Sequence, residues 1–97
     1  MAGETLFEWD ANKSEFNRKK HGIDFERARE AFFDPLATRD VEGHEHGEIR
    51  WRTIGEIHGR LFVVTHTIEE EGETEIIRII SARKATRTER RSHEREA

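Results

Sequence analysis

The chain has 97 residues, about a third of them apolar and 39% charged, enough for one small core under an ionic surface. Cysteine is absent, and no run approaches the roughly 20 apolar residues of a membrane helix, so disulfides, thiol chemistry and a helical membrane span are excluded. The net charge of −4 argues against wholesale coating of a polyanion, but it is unevenly spread: residues 78–97 carry seven bases against three acids, leaving −8 on residues 1–77.

The apolar run at the N-terminus is short and flanked by Glu4 and Glu8, unlike a signal peptide. A cytoplasmic protein forming one domain over residues 1–97 is expected. Leu6-Phe7-Glu8-Trp9 reads as a first or edge strand. Asp10 then caps a helix that runs to Lys20 and stops at Gly22. Asp24 caps a second helix, with Ile23 and Ala28 as a hydrophobic staple and Phe25, Ala28 and Phe32 as its apolar stripe. Asp34-Pro35 ends it, because proline disfavours a helical residue before it.

Beyond Pro35 the period changes. Residues 36–41 read as a short strand, residues 42–47 as a polar loop, and residues 50–54 as a strand followed by a turn at 56–59. Residues 61–68 are apolar on both parities, as in a strand covered on both sides. Residues 69–73 make an acidic turn and residues 76–82 a second buried strand. Residues 84–96 read as a charged surface helix or a frayed tail. The order predicts an α+β fold: two short N-terminal helices packed on an antiparallel sheet of about four to five strands, then the charged tail.

These residues resemble a known family. Phe7-Glu8-Trp9-Asp10, Lys20-His21-Gly22-Ile23-Asp24-Phe25 and Phe33-Asp34-Pro35 are similar to the N-terminal half of BrnT proteins. Arg52-Thr53-Ile54-Gly55, Leu61-Phe62-Val63-Val64 and Arg78-Ile79-Ile80-Ser81-Ala82-Arg83-Lys84-Ala85 continue the likeness over most of the chain. The resemblance implies a RelE-like fold and a toxin of a type II toxin–antitoxin system that cuts RNA and blocks translation. It also implies a BrnA-type ribbon-helix-helix antitoxin as partner. The two proteins would form a hetero-oligomer that touches DNA only through the antitoxin, with no membrane involved.

Metal-independent RNA cleavage needs a base for the 2′-hydroxyl proton and cations for the charge developing at phosphorus. It yields a 2′,3′-cyclic phosphate and calls for no cofactor. Arg78 is the first candidate, as a lone charge between Ile76, Ile77, Ile79 and Ile80; the alternative is an ion pair with a carboxylate. Alternation puts Arg78, Ile80 and Ala82 on one face, opposite Ile77, Ile79 and Ser81. Arg83 and Lys84 follow at the strand's end, as a second phosphate contact or a solvated charge run. Arg50 and Arg52 share one face of their strand, where Arg52 joins Arg78 if the strands neighbour.

Trp51, on the opposite face of that strand, either fills the core or stacks on a base. His66 is either a hydrogen-bonded core histidine or a proton carrier. Lys20 and His21 complement the helix dipole or face RNA, and Glu8 is a base if its strand lies near the arginines. His44-Glu45-His46 lacks a third ligand at fixed spacing, so a flexible loop is expected there and no metal site. The rival reading, which the net acidity favours, is a non-catalytic module that binds a DNA-binding partner as co-repressor.

Overall fold

The computed structural model describes residues 3–96. Strand β1 (Thr5–Glu8) leads into helix α1 (Ala11–His21), and the single turn α2 (Phe25–Ala28) runs on as a 3-10 helix through Phe33. Four strands follow: β2 (Thr38–Glu45), β3 (Glu48–Ile57), β4 (Arg60–Glu71) and β5 (Thr74–Lys84), and helix α3 (Arg87–Glu96) comes last. The strands form one sheet in the order β1-β5-β4-β3-β2. Among the described residues no helix is long and apolar enough to cross a membrane.

The α+β class agrees with the expectation, and three details correct it. The sheet is mixed, because β1 pairs parallel to β5, with Phe7 level with Ile77 and Glu8 with Arg78. The second helix is one α turn that tightens into 3-10 geometry, with Phe25, Ala28 and Ala31 fully buried. Residues 42–45, read as loop, belong to β2; residues 87–96 form a helix, the first of the two expectations for the charged tail. The loop reading failed on turn chemistry: β2–β3 and β3–β4 close through His46-Gly47 and His58-Gly59, each with two positive-φ residues. Such two-residue turns suit the twist of antiparallel strands and need no longer loop.

The core lies between the sheet and the N-terminal helices. Ile23, Phe25, Ala28, Ala31, Ile57, Phe62, Val64, Ile77, Ile79 and Ala82 form one buried cluster. The 3-10 segment sits so close to β3 that a Cβ on Gly55 would stand 2.1 Å from the Ala31 carbonyl oxygen. Only glycine allows that approach. Asp10 and Asp24 cap α1 and α2 as the sequence predicts.

Helix α1 closes the edge of β5 beyond the end of β1. The Asn17 side chain donates to the Ala82 carbonyl at 2.9 Å and accepts from the Ala82 amide at 3.2 Å, as a neighbouring strand would. The Asn17 side-chain amide also donates to the Ile23 carbonyl at 2.8 Å. Buried backbone groups that would otherwise lack partners are thereby satisfied.

The other sheet face stays open except where α3 lies on it. Beneath α3, Ile54, Val63 and Ala85 form a second, smaller cluster. Helix α3 brings no hydrocarbon side chain of its own. It is held by Glu89 and by His93, which is buried and shares a 3.3 Å hydrogen bond with Thr38.

Candidate active site

Two irregularities in the sheet assemble the open face. On β5, Ile80 is an extra residue: Thr65 pairs with Ser81 but His66 pairs with Ile79. This bulge reverses the alternation, so Ala82 joins Ile77 and Ile79 in the core, and Arg83, set opposite Val63, comes to the face of Arg78. The expected shared face of Arg78 and Ala82 is thus corrected. On β2 the extra residue is Glu42, between Val41 (opposite Trp51) and Gly43 (opposite Arg50). Bulges re-aim single side chains, and both here serve the same face.

Three groups of charge result. Arg78 pairs with Glu8 at 3.1 Å, and both are about half exposed. Arg52 pairs with Asp40 at 3.1 Å and lies 3.7 Å from Glu89. Arg83 donates two hydrogen bonds to Glu89, at 2.8 and 2.9 Å. Glu89, contributed by α3, therefore joins Arg52 to Arg83. The Arg83 hydrogen bonds hold its carboxyl down at about 2, well below the usual range. Donating hydrogen bonds to Asp40 and to Glu89 respectively raises Arg52 and Arg83 further.

Glu42 completes the cluster. Its carboxylate accepts a 2.9 Å hydrogen bond from the Thr65 hydroxyl, and its charge acts on both Arg52 and Arg83. A solvent-exposed carboxylate between two arginines can accept a proton, and the planar guanidinium groups can bind an oxyanion through two donors each. Arg50 lies on the same face, 3.9 Å from Glu45. Sequence reasoning missed Glu42 because it was assigned to a loop. Glu89 was legible in part, since Thr86-x-x-Glu89 is a capping box: the Thr86 amide donates to Glu89 at 2.8 Å, and the Glu89 amide to the Thr86 hydroxyl at 3.1 Å.

Other candidates lie elsewhere. His66 is corrected as a proton carrier: it is fully buried on the helix side, edge-on to Phe32 at 4.9 Å. Its Nδ1 donates to the Thr67 carbonyl at 3.2 Å, so Nε2 accepts from the Thr53 hydroxyl at 2.8 Å. Burial pushes the imidazole down to about 4, and it stays neutral. Trp51 is opposite His66 on that same side, away from Arg50 and Arg52. Lys20 stands 5.9 Å over the Phe16 ring on α1, next to half-buried His21. Lys84 borders a cavity of about 570 Å³ that carries both charge signs, with Arg60, Arg90, Glu56 and Glu94. Among the described residues no group of three or more histidines and carboxylates is arranged around a metal position; His44 and Glu45 are in β2, and His46 is in the turn.

A helix-backed sheet whose bare face gathers arginines around carboxylates defines a small α+β protein equipped to hold an anion and move a proton beside it. No curated protein matches the chain significantly. The family model for the ribonuclease toxin BrnT of type II toxin–antitoxin systems matches residues 9–89, and the chain belongs to that family. It is therefore a ribonuclease toxin, and its system includes an antitoxin partner.

Proposed function

We propose that the chain cuts RNA without a metal, using the open sheet face, and that this cutting inhibits translation in the cytoplasm. The supporting observation is the Arg52–Glu89–Arg83 bridge beside Glu42. A scissile phosphate takes the place of the Glu89 carboxylate between the two arginines. Glu42 removes the 2′-hydroxyl proton, the 2′-oxygen attacks phosphorus, and the bond to the 5′-oxygen breaks. The leaving oxygen takes a proton from water, giving a 2′,3′-cyclic phosphate and a free 5′-hydroxyl. Arg52 and Arg83 stabilise the charge on the phosphorane.

Arg78, steadied by Glu8, binds a flanking phosphate, and Arg50 extends the contact on the same face. Lys20, His21 and Lys84 serve longer RNA. The partner is a BrnA-type ribbon-helix-helix antitoxin, and operator DNA is bound by the assembled complex, not by the toxin alone.

The test is incubation of purified, antitoxin-free chain with RNA in EDTA. Fragments ending in 2′,3′-cyclic phosphate, lost by about a hundredfold or more in Arg83→Ala, are the expected result. Intact RNA from folded wild-type protein would overturn the proposal. Arrest of a culture on induction, relieved by the neighbouring antitoxin gene, checks the biological half.

A further inference from the structure

The sheet carries a second surface that the ribonuclease reading leaves unused. On the helix side, beyond the cover of α2 and the 3-10 turn, Ile49, Trp51 and Ile68 floor a trough of about 410 Å³. Ile49 is 41% exposed, and Val41, opposite Trp51 in the register, is 50% exposed. The rim is acidic. Glu48, Glu70 and Glu75 line it. Its one lining cation, Arg39, is engaged with Glu75 at 3.4 Å.

Large aliphatic groups grouped on a surface and ringed by charge mark an interaction site. The sign of the ring selects the occupant. Carboxylates repel RNA, so the trough does not extend the nucleic-acid face, and they attract a cationic chain. Resting on the toxin–antitoxin reading, we infer that the trough receives a cationic amphipathic segment of the antitoxin. Its apolar residues lie on Ile49, Trp51 and Ile68, and its Lys or Arg side chains meet Glu48 and Glu70. Trp51 is then an anchor for a protein partner, as a partly buried tryptophan beside an apolar trough suits. The arginine face is on the other side of the sheet, so the antitoxin grips the toxin away from the chemistry.

The experiment measures binding of the purified cognate antitoxin to wild type, Ile49→Glu and Glu70→Lys, with arrest of cultures by each chain as the parallel readout. Both substitutions are at exposed positions outside the catalytic face. The inference predicts affinity lower by about tenfold or more in each variant, with arrest retained and no longer relieved by the antitoxin. A Lys→Glu or Arg→Glu change in the antitoxin that restores binding to Glu70→Lys would fix the contact. Wild-type affinity in both variants overturns the inference, while wild-type arrest relieved by antitoxin shows in the same cultures that the toxin reading stands. A free-chain dimer abolished by Ile49→Glu, with antitoxin affinity unchanged, overturns it in favour of a second copy of this chain.

Discussion

Glu89 occupies the guanidinium of Arg83 with both carboxylate oxygens, at 2.8 and 2.9 Å, on the face where the substrate phosphate is proposed to bind. Ligand and side chain therefore compete for the same donors. Glu89→Gln removes the competing charge. Affinity for a non-cleavable 2′-O-methyl RNA is expected to rise about three- to tenfold, the equivalent of about 1 kcal/mol. Fluorescence anisotropy checks it, and equal affinity in the two proteins would place the phosphate elsewhere.

The same contact has a pH signature. Glu89 titrates near 2 when folded, against a usual 4.5, so its stabilisation is complete above about pH 4.5 and is lost as pH falls towards 2. Because Arg83 is partly exposed, the contribution is on the order of 1–2 kcal/mol. Stability curves of wild type and Glu89→Gln should converge at the acid end. Parallel curves down to pH 2 would mean that the bridge contributes nothing.

Glu42 is exposed, so Glu42→Gln should fold normally and lose rate. Removing a general base lowers kcat by about 10²–10⁴ with KM little changed. A variant that keeps its rate would transfer the base role to another carboxylate, with Glu8 next in line.

His66 makes a separate prediction at milder pH. Its folded value of about 4 lies below the 6.5 of a free imidazole, so the unfolded chain binds the proton first. Stability is full above about 6.5 and declines as pH falls to 4, by on the order of 3 kcal/mol. His66→Asn should flatten thermal melting temperature against pH across that window. An unchanged slope would show that another group carries it.

Asn17→Leu leaves the Ala82 amide and the Ala82 and Ile23 carbonyls without their side-chain partner. A loss of about 2–4 kcal/mol is expected from urea unfolding. A loss below about 1 kcal/mol would mean that water replaces the amide without penalty.

Most of the framework could be read from the sequence because it is governed locally. Asp10 and Asp24 announce their caps, and the doubly apolar 61–68 run announces a strand covered on both sides. What escaped depends on partners far along the chain. Nothing near Leu6 states that its strand will run parallel to β5. Nothing in Ile79-Ile80-Ser81 marks Ile80 as the extra residue, yet that single shift decides whether Arg83 faces the core or solvent. The candidate arginines were visible one by one as charges in or beside strands. Their companion Glu42 was not, because its position depends on a bulge opposite β3. His66 illustrates the reverse case: its apolar neighbours in sequence already allowed the core reading that its burial supports.

Helix α3 holds to the sheet through ion pairs and one histidine, with no hydrocarbon side chain of its own. Its attachment therefore has a local opening free energy far below that of the sheet it rests on, and one that falls with ionic strength. Its amides should exchange with solvent long before those of β4. Local opening of α3 should accordingly free Arg52 and Arg83 from Glu89 more often as ionic strength rises, with no need for global unfolding.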